Sequence, residues 1–524
     1  MGKIKSIFKD IKYDFPAGLV VYLVALPLCL GVAHASTGRS DLLFSGIIAG
    51  MAGGIVVGML SGSSLGVSGP AAGLVVIILN ALQTLGSFEA FLLAVVLAGI
   101  FQVLAGFLKA GVIGYYFPSS VIKGMLAAIG ITLILKEIPH AFGFDKDYMG
   151  DEAFNQEDGQ NTFTELYNAV RYSSTGAIII SIVSLIMLLL FDRPFMKRIA
   201  LFRYVPGALF VVITGVFLNL LLGSINPEWL MQDKHLVQLP VAANAGDFFS
   251  FFTSPDFSKI NNPDVFKVAI TLAIVASLET LLSVEATDKL DPFKRNTDAN
   301  RELKAQGTGN IVSGLLGGLP VTQVIVRSSA NVNAGGKTKL STIIHGLILL
   351  LSAIFIPRYL NYIPLASLAI ILMLVGYKLA NIGLFRSMYR HGWEQFLPFV
   401  ITVIAILLTD LLKGISIGMV VGIFFILRKN TRLSYHYNTF MDNGVERIRI
   451  LLSEEVSFLN KGGVSNILDR LPEGSDVIID GSKSINIDHD VLEIIHEFRN
   501  YRAPLKNIKI ELIAIPQVEK AGGH

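Results

Sequence analysis

A chain of 524 residues with one cysteine, two tryptophans and only 16% charged residues excludes several protein classes at once. The lone Cys29 lies in an apolar stretch, so neither an intrachain disulfide framework nor a thiolate zinc site can be built. Soluble domains carry roughly 25% charged residues, and this chain falls well short. Charge of one sign is also lacking. The 43 Lys and Arg against 40 Asp and Glu leave a formal net charge of +3, with no basic face for nucleic acid. His34, His140 and His345 stand singly, without metal-ligand spacing. Gly414-Ile415-Ser416-Ile417-Gly418 matches the hydrolase nucleophile elbow, but it opens an apolar run instead of a strand-to-helix turn. No catalytic cofactor is indicated, and the chain does not read as an enzyme.

What the chain has is apolar length: 52% hydrophobic residues and a mean hydropathy of +0.60. Apolar segments fall near 17–35, 42–60, 70–84, 88–107, 119–137, 174–191, 205–222, 264–283, 306–317, 321–334, 339–356, 362–379, 394–411 and 414–428. These fourteen segments put both termini on the cytoplasmic side. Lys and Arg are retained there, and Arg193, Lys197, Arg198 and Arg203, then Lys289, Lys294, Arg295, Arg301 and Lys304, then Arg386 and Arg390 all fall inside. The loop with Asp145, Asp147, Asp151, Glu152, Glu157 and Asp158 falls outside. Lys3, Lys5, Lys9 and Lys12 precede the first segment, and without a cleavage site after a short apolar region a retained span is expected. Gly46, Gly50, Gly54, Gly58 and Gly62 leave a flat strip on the second segment, read as close helix packing before any sliding surface.

Two stretches are too short and too rich in Gly and Pro to cross a bilayer: Gly62 to Pro70, and Gly314 to Thr322. Pro70 and Pro320 lie 250 residues apart, about the offset between the first and eighth segments, so the chain reads as two seven-segment halves. An odd number per half inverts one relative to the other, and matching broken helices point to a midplane substrate site. With Pro70 and Pro320 read at or near the first helical position, two helix N-termini face a common cavity. Their N–H groups carry partial positive charge suited to an anion. Ser68, Gly69, Ala71, Val321 and Thr322 are therefore candidate anion contacts, although a hydroxyl in a span also bonds its own backbone.

Glu279 and Arg327 lie within spans, where an ionisable group costs about 2.5–3.5 kcal/mol and needs a reason. Arg327 adds positive potential for an anion, or pairs structurally with Glu279. Glu279 and Ser283, four residues on, share a helix face. With freed carbonyls at Leu319 and Thr322 they would offer hard oxygen ligands for Na+, or a protonatable site for H+. After Arg428, Lys429 and Arg432 the composition turns soluble. Strand-like 447–452, 477–480 and 508–513 alternate with helix-like 465–471 and 491–501, a small α/β module.

These segments resemble the sulfate permease (SulP) family, the bacterial relatives of the solute carrier 26 anion transporters. The resemblance covers nearly the whole chain and rests on Asp14-Phe15-Pro16-Ala17-Gly18-Leu19, Val67-Ser68-Gly69-Pro70, Asn310 to Pro320, and Arg327 to Thr338. It implies an all-α membrane domain over 1–435 with a 7+7 inverted repeat and a core and gate division. It also implies a cytoplasmic STAS domain over 436–524, a homodimer in the lipid of the inner (plasma) membrane, and an anion bound between half-helices three and ten. Ala25-Leu26-Pro27-Leu28 is similar to the bicarbonate branch, in which an Asp and a Thr implicated in Na+ stand where this chain has Glu279 and Ser283. The expected function is Na+-coupled bicarbonate uptake. Sulfate permeation, H+-coupled or by exchange, stands as the alternative, and a passive channel or an anion sensor as another class. Ser482 and Ser484 stand where related modules place a regulatory serine loop, and the helix expected after Ile513 is largely missing.

Overall fold

The computed structural model describes residues 10–149, 154, 159–191, 193, 196, 205–242, 245–431, 435–442 and 445–517. Lys3, Lys5, Lys9, Asp151, Glu152, Glu157, Asp158, Lys197, Arg198, Arg203 and Arg432, on which the charge reading draws, lie outside the described residues. The chain forms two compact units, Met1–Met419 and Val420–His524, so the last membrane helix is shared between them, whereas the composition places the change at 435/436.

Each of the fourteen apolar segments carries a helix or half-helix. The first half holds α1 (Ile11–Thr37), α2 (Leu43–Met51, continued through a π turn at Ala52–Val57 to Gly58–Leu60), α3 (Val75–Leu85), α4 (Phe88–Phe107), α5 (Ser119–Phe142), α6 (Thr162–Arg171), α7 (Thr175–Phe191) and α8 (Gly207–Ile225). The second holds α9 (Pro263–Leu290), α10 (Ala299–Leu316), α11 (Ile325–Asn333), α12 (Leu340–Phe355), α13 (Leu365–Leu379), α14 (Ile382–Arg390), α15 (Trp393–Leu408) and α16 (Leu411–Thr431). Among the described residues, seven helices are long and apolar enough to cross a membrane. Helix α6 was not anticipated: it follows the acidic stretch, starts on an Asn161/Thr164 capping box and meets α7 at 108°. Helix α10 begins seven residues before the apolar segment at 306, with Asp298 capping the N–H groups of Asn300 and Arg301. The glycine strip serves close packing: a Cβ at Gly50 would meet Cys29 Sγ at 2.7 Å on α1, and one at Gly54 would meet Gly346 Cα at 2.6 Å on α12.

Beyond α5, the Asp145 carboxylate accepts from His140 Nδ1 and His235 Nδ1, both at 2.6 Å, tying the segment after α5 to the one after α8. Burial alone would raise the Asp145 carboxyl, but the two imidazoles outweigh it and hold it below the usual aspartate range.

The second unit carries β3 (Tyr435–Asp442), β4 (Val445–Leu452), β5 (Glu455–Val456), β6 (Asp476–Asp480), β7 (Asn486–Ile487) and β8 (Lys509–Ile513), with α17 (Lys461–Asp469) and α18 (His489–Glu497). The main sheet has the order β3-β4-β6-β8, antiparallel across β3–β4 and parallel thereafter. Ile448, Ile450, Val477, Ile479, Val491 and Ile495 meet in its core. This is the α/β module read from the sequence, with β3 added. Ser484 Oγ donates to Ser453 O at 2.7 Å, so that hydroxyl is already committed.

Candidate functional site

The two breaks lie side by side. Ser68–Pro70 (β1) and Val321–Gln323 (β2) pair as antiparallel strands in the register Ser68↔Gln323, Gly69↔Thr322 and Pro70↔Val321. All six residues are buried. Irregular backbone is tolerated at membrane depth only where protein surrounds it, and here each break supplies the other with backbone partners. The opposed strand directions are what an inverted second half requires.

The helix starts need correction. Pro70 closes β1, Ala71 is extended (φ −118°, ψ 136°), and a 3-10 turn at Ala72–Leu74 leads into α3. Pro320 precedes β2, and α11 begins only at Ile325. Proline fixes φ and lacks an N–H, which suits a strand end as well as a first helical turn. Leu74 N–H and Val75 N–H already bond the Ala71 and Ala72 carbonyls, so the helix-start amides left to a ligand lie at 72–73 and 325–327, a few residues beyond the prolines.

The predicted contacts separate into two groups. Thr322 and Arg327 converge on Gly69, while Ser68, one residue back and paired with Gln323, accepts at Oγ from Gln306 Nε2 at 2.6 Å. Thr322 is fully buried with its hydroxyl unbonded among the described residues, and Arg327 is 1% exposed with Nη2 directed at Pro70 O, 3.4 Å away. Its Nε and Nη1 meet no hydrogen-bond acceptor among the described residues. The Cys29 thiol lies against the guanidinium, and the fully buried His345 is within reach of its charge. Gly69 lets the guanidinium close on the strand: a Cβ there would collide with Arg327 Nη1 and oblige the side chain to shift. Ala71 is buried nearby, its carbonyl closing the 3-10 turn with Leu74 N–H at 3.2 Å.

Val321 and Leu319 fall in the other group. The Val321 N–H donates to Asn310 Oδ1 at 2.5 Å and its carbonyl accepts from Asn310 Nδ2 at 3.0 Å, so its amide is not open to an anion. The Leu319 carbonyl accepts from Ser313 Oγ at 2.6 Å and its N–H donates to Ser45 O at 3.2 Å, so it is not a freed cation ligand. Glu279 and Ser283 are both 5% exposed on α9. Glu279 stands against the first turn after the first break, where a Cβ on Gly73 would lie 3.0 Å from Oε1. Between them Thr280 Oγ1 accepts from Gln323 N–H at 3.3 Å, joining α9 to the second break.

Sequence reasoning missed the residues that hold the breaks. Along α10, Glu302, Gln306, Asn310 and Ser313 recur about every helical turn, and each bonds a break. That spacing is the signal that could have found them. Ser328, Asn331 and Thr342 complete the support by bonding Val67 N–H, Leu65 O and Gly66 O.

A polytopic membrane protein with a buried, cationic, hydroxyl-lined junction between two interrupted helices has the architecture of an anion carrier. The chain belongs to the Sulfate permease family, whose sequence profile it matches over residues 11–405; it is an anion transporter, not an enzyme. It is 27% identical over 447 residues to a protein named putative sulfate transporter YvdB of Bacillus subtilis, covering 83% of this chain and 78% of that one. It is 22% identical over 505 residues to the bicarbonate transporter BicA of Picosynechococcus, covering 93% and 82%. Its fold matches murine Slc26a9, an anion transporter solved in the inward-facing state, with TM-score 0.65 at 16% identity over 97% of this chain and 86% of that one. It also matches the transmembrane domain of a cyanobacterial BicA, with TM-score 0.54 at 20% identity over 79% and 98%.

Proposed function

We propose that the chain is a secondary active transporter of a small inorganic oxyanion, with Na+-coupled bicarbonate uptake as the leading activity. The carrying observation is Arg327. Burying a guanidinium short of its hydrogen bonds is costly, and where the breaks meet, Nε and Nη1 of this one find no acceptor among the described residues. A bound oxyanion would give those two nitrogens charged acceptors, with the Ser68 and Thr322 hydroxyls and the first amides of α11 as further donors. Gly69 and Ala71 would shape the backbone wall on the other side.

For the cation, Glu279 with Ser283 and Thr322 would form the Na+ site. The carboxylate against the first turn of the half-helix would couple cation occupancy to the same backbone that faces the anion. A proton on Glu279 would serve the same coupling in an H+-driven carrier. Sulfate is the second reading, favoured by the higher identity to a protein named as a putative sulfate transporter. We read the second unit as a STAS-like cytoplasmic domain, both termini as cytoplasmic, and the working form in the plasma membrane as a homodimer.

Labelled bicarbonate and labelled sulfate uptake into proteoliposomes, with and without an inward Na+ gradient, tests the proposal. Bicarbonate should accumulate against its gradient only with Na+, and Glu279→Gln should abolish the Na+ stimulation without loss of folding. Accumulation of sulfate alone would reverse the substrate ranking. Flux that equilibrates without accumulating either anion would make the protein a channel.

A further inference from the structure

Glu302, in the first turn of α10, is fully buried although it carries a carboxyl group. Its Oε2 accepts from Ser61 Oγ at 2.5 Å and from Gly62 N–H at 3.3 Å. Its Oε1 accepts from Gln306 Nε2 at 3.0 Å, one turn further on. The same Nε2 donates its other proton to Ser68 Oγ at 2.6 Å, so both amide protons are used. Ser68 Oγ is thus an acceptor on that side, and its own proton goes to no acceptor among the described residues.

We propose that Glu302 is a positioning residue for anion binding: by holding the Gln306 amide with its nitrogen towards Ser68, it leaves the Ser68 hydroxyl proton to the anion. The inference rests on the reading of Ser68 as an anion ligand. Turned over, Gln306 would set Oε1 against the Glu302 carboxylate, acceptor against acceptor. Ser68 would then donate to Oε1 and have no proton left for a ligand. In the observed orientation Gln306 Oε1 has no partner among the described residues, so the bias comes from the nitrogen side, where the carboxylate is. The neighbouring cations do not compete for that carboxylate: Arg301 Nε donates to Leu60 O at 2.9 Å, and Lys339 Nζ donates to Met59 O at 2.7 Å. Glu302 also grips Ser61 and Gly62, where the chain turns back towards β1, so a purely structural role is the rival to be separated.

A double-mutant cycle separates them. KM and maximal rate for labelled bicarbonate and labelled sulfate are measured in proteoliposomes for wild type, Ser68→Ala, Glu302→Gln, and the pair. Loss of one hydrogen bond to a charged ligand should raise KM about tenfold in each single variant. The pair should show no further rise, because both changes remove the same donor. Gln306→Glu, alone and with Ser68→Ala, runs the same cycle should Glu302→Gln fail to fold, as read by its thermal melt, because a carboxyl at 306 turns an acceptor to Ser68 and takes its proton. A wild-type KM for Glu302→Gln or Gln306→Glu, or effects that multiply with Ser68→Ala, would overturn the positioning role while leaving Ser68 as a ligand. A wild-type KM for Ser68→Ala would instead remove Ser68 from the site, and this inference with it.

Discussion

The two breaks are related by sequence position but are held in different ways. The first, from Ser61 to Ala71, is a long irregular run, bent at 62, 64 and 65 before β1, gripped by side chains of the opposite half: Glu302, Gln306, Ser328, Asn331 and Thr342. The second is a tight turn. Gly317 adopts a left-handed conformation (φ 90°), Gly318 N–H returns to Ser313 O at 2.7 Å, and the adjoining helix α10 supplies Ser313 and Asn310. The cationic side chain is equally one-sided, since Arg327 rises from the second half to reach the carbonyl of Pro70 in the first. Pseudo-symmetry of sequence therefore builds an asymmetric junction, in which one half provides the scaffold and the charge and the other provides a strand to be held.

This asymmetry can be broken from either side. The largest effect belongs to Arg327→Ala, which removes the charge shared by both breaks. Anion uptake should fall about 100-fold, consistent with losing one member of a desolvated, hydrogen-bonded charge pair. Uptake near the wild-type level would show that the arginine only packs. Asn310→Leu strips Val321 of both its side-chain hydrogen bonds and should destabilise the second break by about 2–4 kcal/mol, read as a lowered thermal melt in detergent.

Asp145→Asn lies outside both breaks. It should cost about 1–3 kcal/mol of stability while leaving anion KM unchanged. Because the native Asp145 carboxyl is held low, its contribution is present above the ordinary aspartate value near about 4 and is lost as pH falls through the depressed native value. The gap between wild-type and Asp145→Asn melting temperatures should close on acidification through that window; a gap that widens there would reverse the sign. Smallest is Ser328→Ala, which leaves the first break its other grips and should cost about 1 kcal/mol, again read from the melt.

The breaks were legible because glycine and proline clusters interrupt apolar runs, and their 250-residue offset placed them in matching positions. Local sequence did not reveal where the helices restart. Pro70 and Pro320 suit a strand end as well as a helix start, and only the pairing of Pro70 with Val321 decides between them. Nor did it reveal which backbone groups stay open, since Asn310 and Ser313 occupy those of Val321 and Leu319 through contacts seen only in three dimensions. Glu302 and Gln306 were hidden for another reason. Glu302 stands between Arg301 and Lys304 in a polar stretch that reads as a cytoplasmic loop, and Gln306 at the very start of the apolar segment, yet Ala299–Leu316 is one continuous helix in which both are buried. The short helix Thr162–Arg171 was lost in the loop after the acidic stretch, although its capping box is visible as Asn161 and Thr164.

The most direct test is a structure of the full-length protein at saturating bicarbonate or sulfate. Density for an anion should lie against the Arg327 guanidinium, within hydrogen-bond reach of the Ser68 and Thr322 hydroxyls. An anion held elsewhere, with Arg327 still turned to Pro70 and these hydroxyls unengaged, would contradict the account.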